Sequence, residues 1–393
     1  MKMKIANALR LLLPLAAATL HAVATATAAD FDIVVYGATP GGIAAAIVAA
    51  NGTGLRVALL EPGPRVGGMS GPGGIGLRDI DDEAVSGSAD SRTVLNRWLH
   101  LNRMYYNASA PVWQPDSAVA QANWEVLVAD PRYGIFLSTQ TGLIETGGAV
   151  TRSGLAITSI TTVNTSANAP SGTTTVWTAR VFVDASYEGD LLVASGASHV
   201  VGREGIDEFN ESLAGIRDPG NFSQFQFPVD PYAADGSVLP GVDVTPPPPF
   251  GSGDGRVMPF SYRACVINTP DRVPFPRPDG YDPAQFELLV RYAESLVAKY
   301  GPRGAPFSAL AAQYEYRAYP ATADRAMRYD LCEIGDSAIS TDEPTSAYGD
   351  YIAGNRSVRA RVSADVKNWV GRMTEWGAAS ACNMMYSMRG GYT

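Results

Sequence analysis

One ordered series of features between residues 31 and 69, FDIVVYGATPGGIAAAIVAANGTGLRVALLEPGPRVGGM, limits what this chain can become. An apolar strand is predicted over Ile33 to Tyr36. The turn Gly37-Ala38-Thr39-Pro40-Gly41-Gly42 follows, then an alanine-rich helix from Ile43 to about Asn51. A second strand, Val57 to Leu60, ends on the acid Glu61. Strand, glycine turn, helix, strand and terminal acid in this order form the βαβ unit that binds the ADP half of a dinucleotide. An α/β enzyme that uses a nucleotide cofactor is the leading expectation.

Such a turn brings backbone N–H groups at a helix N-terminus against a pyrophosphate, where unpaired amides and the helix dipole favour anions. Gly37 permits the tight bend. Gly42 lets the helix approach the strand, and Ala46 extends that approach. Thr39 stands where the usual Gly-x-Gly-x-x-Gly has its middle glycine, so its β-carbon is expected to crowd the phosphates, with Gly41 compensating or the loop shifting outward. Glu61 is placed to bind the adenosine ribose hydroxyls, which disfavours a 2′-phosphate and hence NADP.

Two further segments bear on the same site. Arg65-Val66-Gly67-Gly68-Met69 puts a basic residue and paired glycines just after the second strand. That arrangement lets backbone approach a flavin diphosphate or ring, and a simple NAD dehydrogenase does not need it; a flexible loop is the plainer alternative. The segment VFVDASYEG at 181–189 is an apolar strand ending in Asp184-Ala185-Ser186. Open α/β sheets bind ligands at such carboxyl ends, although alone the segment is only a strand and a helix cap.

Taken together, GATPGGIAAA, RVGGM, VFVDASYEGDLLVASG and VVGRE resemble the secreted FAD-dependent oxidoreductases often labelled xanthan-lyase-like. The likeness continues through ESLAGIR at 211–217, FPVDPY at 227–232 and RVPFPRPDGYDPAQFELLVRY at 272–292. The resemblance implies a Rossmann-like flavin domain of the glutathione-reductase type with an inserted, loop-rich substrate domain. It implies FAD as cofactor and hydride transfer through the flavin to or from a small or carbohydrate-like substrate. Gly37, Gly42, Glu61, Arg65, Gly67, Gly68 and Met69 would contact FAD, in a loop that also holds Thr39, Pro40 and Gly41. Asp184, Ala185 and residues 188–190 would lie near the crevice. Flavin domains of this type close with a late strand and helix carrying Gly-Asp. Gly335-Asp336 and Gly349-Asp350 follow no apolar strand, so a C-terminally shortened domain without its flavin-closing element is expected. The lyase label implies polysaccharide chemistry, for which the residues carry no pattern.

The rest of the chain sets the context. Lys2, Lys4 and Arg10, the apolar run Leu11 to Leu20 and the small residues Ala24, Ala26 and Ala28 read as a secretory signal peptide over residues 1–29. No other run approaches ~18 apolar residues, so a soluble mature chain without a membrane partner is expected. Loss of the leader would take the net charge from −9 to −12 by removing those three basic residues, and an acidic surface argues against nucleic acid as partner. Sequons at Asn51, Asn107, Asn164, Asn210, Asn221 and Asn355 fit a glycosylated, exported protein. Cys265, Cys332 and Cys382 permit one disulfide and one thiol, with the pairing open. His100 and His199 are the histidines left after the leader, and no metal site is expected from them.

Residues 30–202 are assigned to the flavin-binding domain and 203–393 to a substrate or cap domain, where proline peaks at Pro246 to Pro249 and Gly251 to Gly255 is flexible in composition. Helices are predicted over 91–106, 283–300 and 355–369, and strands over 156–163 and 176–183. For catalysis, His199 is a weak candidate base, with Tyr187, Glu188, Arg203 and Glu204 nearby in sequence; a surface histidine and a surface Arg203 ion pair are the plainer readings. Tyr105, Tyr106, Trp113 and Trp124 are candidates for a sugar site or for core and rim. An FAD-free binding protein and an NAD-dependent dehydrogenase remain as alternatives, and the oligomeric state stays open.

Overall fold

A computed structural model of the protein describes residues 27–73, 93–168, 173–217, 225, 228–260, 262, 264–267, 277–301, 316–318, 328–331 and 348–376. The predicted leader up to residue 26, Cys332, Cys382, Gly335-Asp336, Asn221 and the expected end of the first βαβ unit near Gly76 lie outside these residues. So does the Cys265 side chain, and with it any disulfide pairing.

β1 (Thr27–Asp30) leads through Phe31 and Asp32 into β2 (Ile33–Tyr36). The leader boundary expected at residue 29 therefore falls inside β1. Thr39 caps α1 (Pro40–Ala50), accepting the Gly42 N–H on its hydroxyl at 3.2 Å. Pro40 fits the first helical turn because its missing N–H would be unpaired there anyway. The helix thus starts at Pro40 rather than at the expected Ile43, and the second half of the glycine turn is its first turn. β3 (Val57–Leu60) follows. α2 (Val94–Tyr105) and α3 (Ser117–Val128) are capped by Thr93 and Asp116.

Next come β4 (Phe136–Ser138), β5 (Thr141–Leu143), β6 (Val150–Ser153), β7 (Ala156–Asn164), β8 (Thr174–Thr178) and β9 (Val181–Asp184). α4 (Asp190–Ser195) and α5 (Ile206–Phe209) follow, and the described residues within 210–217 and 228–260 have little regular structure, in keeping with their proline and glycine. The later elements are β10 (Ala264–Ile267), α6 (Glu287–Tyr300), β11 (Tyr316–Ala318), β12 (Arg328–Leu331), α7 (Tyr348–Ala353) and α8 (Arg356–Trp376). α8 runs past its expected end at Trp369.

β2, β3, β4 and β9 form a parallel sheet in the order β4-β3-β2-β9. A second, mostly antiparallel sheet has the order β1-β8-β7-β5, with β6 also on β7. β10, β12 and β11 make a small antiparallel sheet. The alternation at 176–183 is thus two strands in two sheets. Arg180 and Val181 both donate their N–H to Asp32 O at 3.1 Å, which marks the crossing between sheets. β1 and β2 cross beside them, Phe31 N–H donating to Thr178 O at 2.9 Å.

The parallel sheet is covered on both faces, which is why β2 and β3 are apolar throughout. On one face Val35, Val57 and Leu59 pack under Ile43 and Ile47 of α1, with Trp98 and Trp124 beside them. These two indoles stack at 5.1 Å. Trp124 is therefore core, and Tyr106 is buried with its hydroxyl accepting the Asp116 N–H. On the other face Val34, Tyr36, Ala58 and Leu60 meet Leu143, Ile160 and Trp177 of the second sheet. The result is three layers: helices, parallel sheet, antiparallel sheet. The expected α/β, Rossmann-like class is the class observed. Elsewhere Phe286, Leu289, Tyr292 and Leu296 pack on Met373 and Trp369 of α8. Among the described residues no helix is long and apolar enough to cross a membrane.

Tyr36 is almost fully buried, and its hydroxyl accepts the Leu143 N–H at 3.2 Å, joining the two sheets. Tyr36→Phe leaves that N–H without its partner, so a loss of about 1–3 kcal/mol is expected in urea unfolding followed by circular dichroism. Unchanged stability would mean that the junction is not closed at this bond.

Candidate functional site

Because β2, β3 and β9 are parallel, their carboxyl ends at Tyr36, Leu60 and Asp184 open on one edge. The turn after β2 is held there by backbone. Gly37 N–H donates to Leu60 O at 2.7 Å, and Ala185 N–H to Tyr36 O at 2.8 Å. Gly37 has φ +101, and a β-carbon on it would lie 2.6 Å from Ala185 C and Ser186 N. A β-carbon on Gly42 would lie 1.9 Å from Gly37 O. Both positions exclude a side chain for reasons internal to the protein.

Thr39 serves this same junction. Its hydroxyl donates to Ala185 O at 2.9 Å while accepting the Gly42 N–H, and the residue is buried. Its side chain is directed into the seam between α1 and the loop after β9. Gly41 is different. It is exposed, and the nearest atom to a β-carbon there is Thr39 Oγ1 at 3.8 Å. No described atom requires glycine at that position.

Glu61 bridges the first turn to the next segment. Its Oε2 accepts the Ala38 N–H at 2.8 Å and its Oε1 the Gly63 N–H at 2.7 Å. Burial raises its pKa above the ordinary carboxyl value, against the pull of those two hydrogen bonds, and the charge of Glu188 adds to the rise. The Arg65–Met69 segment is then tied back to the turn: Gly67 N–H donates to Ala38 O at 2.8 Å. Gly67 has φ +98 and sits so close to Trp124 that a β-carbon would be 2.5 Å from Cδ1. Met69 N–H donates to the Tyr187 hydroxyl at 2.8 Å, and a β-carbon on Gly68 would be 2.2 Å from that oxygen. Residues 67–69 are thus hydrogen-bonded at both ends. The Arg65 and Met69 side chains are exposed beside them.

The loop after β9 completes the site. Asp184 Oδ1 accepts from the backbone and hydroxyl of Ser186 at 2.9 and 2.7 Å, and Oδ2 accepts the Leu192 N–H at 2.8 Å. Asp184 thereby organises its own loop and the start of α4. Burial raises the Tyr187 pKa; its bond from Met69 opposes this, and the charges of Glu61 and Glu188 add to it.

Sequence reasoning missed the late residues that reach this loop. The Tyr351 hydroxyl donates to Glu188 Oε1 at 3.0 Å, and Arg359 pairs with Asp190 at 2.8 Å. Gly349 and Asp350, weighed as a flavin-closing pair, lie in the first turn of α7.

His199 is not brought into this crevice by any described contact. Its ring is exposed, with Nδ1 at 3.1 Å from Ala197 O. Arg203 pairs with Asp254 at 3.7 Å, the plainer of the two readings for that residue. Tyr105 is exposed, and Trp113 packs partly buried against the helical core.

A family model described as "FAD dependent oxidoreductase" matches residues 32–365. No curated protein matches the chain. Among solved structures, the L-proline dehydrogenase from P. horikoshii matches at 17% identity and TM-score 0.26, over 41% of this chain and 23% of that one. The myxobacterial chondrochloren halogenase CndH matches at 21% and 0.28, over 40% and 37%. The L-amino acid deaminase from Proteus vulgaris matches at 17% and 0.25, over 46% and 53%. The matched part of this chain thus spans a quarter to about half of those proteins.

The two neighbouring glycines of α1 give a direct contrast. Gly42→Ala drives its methyl into Gly37 O, and a cost of about 3 kcal/mol or more is expected. Gly41→Ala has room in a helical position, and a neutral effect or a gain of about 0.5 kcal/mol is expected. Urea unfolding of both variants checks the placement, and equal effects would refute it.

Proposed function

The chain belongs to the FAD dependent oxidoreductase family, and from that premise we propose that it is a secreted flavoenzyme passing a hydride between FAD and a small or carbohydrate-like organic substrate. The observation that carries the reading is the bond from Gly67 N–H to Ala38 O. It joins the arginine–glycine segment to the first glycine turn, so that two backbone segments suited to phosphate share one strand-end crevice. An NAD-dependent dehydrogenase needs only the first of them.

The residues present fit FAD. Gly41 is exposed in the first turn of α1, where the chain's own atoms would admit a methyl. A glycine there makes sense as space left for a ligand. The pyrophosphate would meet the helix N-terminus at Gly41, with Gly37, Thr39, Pro40 and Gly42 shaping the turn that presents it. Glu61 would take the adenosine ribose. Arg65, Gly67, Gly68 and Met69 would flank the cofactor beyond the diphosphate, with Asp184 and Ala185 shaping the loop under it. Bound FAD supplies the two-electron chemistry. The chain's residues bind and orient it. No described contact brings His199 to this crevice, and no base is assigned to the reaction.

Holo-protein is expected to absorb at about 450 nm, and added FAD to raise the melting temperature of apo-protein. Gly41→Val should fold as the parent does yet bind FAD at least about tenfold more weakly, because its side chain occupies ligand space rather than protein space. A colourless protein that FAD does not stabilise would overturn the reading. Stabilisation by NAD instead would favour the dehydrogenase.

Export is supported by surface sequons: Asn51, Asn107, Asn164, Asn210 and Asn355 are all exposed. An A-x-A site ending at Ala26 would leave β1 whole, whereas one ending at Ala28 would remove the partners of Thr175 and Val176. N-terminal sequencing of the exported protein is expected to begin at Thr27. A start at Asp30 or later would mean that β1 is no part of the mature sheet.

A further inference from the structure

The loop Ala185 to Asp190 is held at one end by the glycine turn and at the other by residues far along the chain. Its first residue lies against Gly37, and the Ser186 hydroxyl accepts the Asp190 N–H at 3.1 Å. Between these ends the Tyr187 hydroxyl accepts the Met69 N–H, and Gly189 is a left-handed N-cap with no side chain to close α4, so that Asp184 takes the Leu192 N–H instead.

A further restraint, on the Glu188 and Asp190 side chains, comes from α7 and α8. Tyr351 donates its hydroxyl to Glu188. Arg359 is bound on three sides: Nη1 donates to Asp190 Oδ2 at 3.0 Å, Nε to Tyr351 O at 3.0 Å and Nη2 to Ile352 O at 3.2 Å. Its guanidinium also lies 5.6 Å from the Tyr351 ring centroid. One planar fork therefore ties the last carbonyls of α7 to the first residue of α4, a geometry that suits arginine and not lysine. A third contact anchors the same helices to the other sheet, where Arg356 N–H donates to Glu145 at 2.6 Å and its guanidinium to Leu143 O. Three carboxylates on the strand-end loops thus face Tyr351, Arg356 and Arg359.

We propose that Arg359, together with Tyr351, is a positioning residue for the cofactor site: α7 and α8 dock on Glu188 and Asp190 and hold the β9–α4 loop against the Gly37 turn, so that FAD binding and docking of the late helices favour each other. The proposal rests on the FAD reading above. Arg359 acts through Asp190, and Tyr351 through Glu188, whose carboxylate lies within electrostatic reach of Glu61 and Tyr187. Coupling of this kind is reciprocal, so it is readable from either end.

The test uses the full chain as parent, Arg359→Met, Arg359→Lys and Asp190→Asn. FAD affinity is measured by fluorescence titration, apo stability by thermal melting, and backbone hydrogen exchange over 185–192 and 348–360 with and without FAD. Arg359→Met is expected to weaken FAD binding about tenfold, within the usual range of coupling, with a far smaller change in the apo melting temperature. Its 185–192 segment should exchange faster, Asp190→Asn should behave alike, and Arg359→Lys should recover part of the loss. In the parent, FAD should slow exchange over 348–360, a reading that needs no variant and survives if Arg359→Met fails to fold. FAD binding by the parent with no change over 348–360, or a folded Arg359→Met with parental affinity, overturns the coupling alone. A parent that binds no FAD overturns both the coupling and the cofactor reading.

Discussion

The arrangement of this site depends on one backbone approach. α1 can leave the end of β2 at the observed angle only because Gly42 has no β-carbon to meet Gly37 O, and the loop after β9 can lie on the turn only because Gly37 has none either. Once those chains touch, the remaining hydrogen bonds have defined ends. Ala185 N–H reaches Tyr36 O, Thr39 reaches Ala185 O, and Ala38 is left with its N–H on Glu61 and its carbonyl on Gly67. The three-layer core behind supplies the rigidity. With both faces of the parallel sheet buried, the strand ends cannot drift apart without exposing Tyr36, Leu60 and the second sheet.

Electrostatics gives the site its second character. Glu61 and Glu188 approach from different elements, and Glu61 is buried enough that ionisation is disfavoured. The backbone N–H groups of Ala38 and Gly63 that point at Glu61 offset this, while the cation Arg359 stands behind Glu188 and Asp190. Arg359 itself stays charged: burial works against it, but Asp190 and then Glu188 more than compensate. The late helices thus serve the strand-end loops as a source of positive charge in an acidic protein.

Much of this was legible in the sequence, for physical reasons. Strands buried on both faces read as unbroken apolar runs, so β2 and β3 were placed to the residue. The start of α1 was misplaced because Pro40, Gly41 and Gly42 look like turn residues; the signal for the true start was Thr39 followed by proline, a cap and a first helical position. The split between β8 and β9 was hidden because alternation runs on through Ala179 and Arg180 while the chain changes sheets. Nothing local could have linked Arg359 to Asp190, 169 positions apart. A helix that docks through single charged residues leaves no periodic trace for its partner.

The glycines themselves separate ancestry from use. Those at 37, 42, 67 and 68 are demanded by the chain: a β-carbon on each would collide with Ala185, Gly37, Trp124 or Tyr187. Any protein folding this way must keep them whether or not it binds a nucleotide, so they speak for the fold alone. Gly41 is under no such demand, and its exposed place at the N-terminus of α1 is where an anionic ligand would approach. A chain that had lost its cofactor would be free to replace Gly41 with a better helix former while retaining the other four. Among these five glycines, the one that bears on whether this protein holds FAD is therefore the one its own structure does not need.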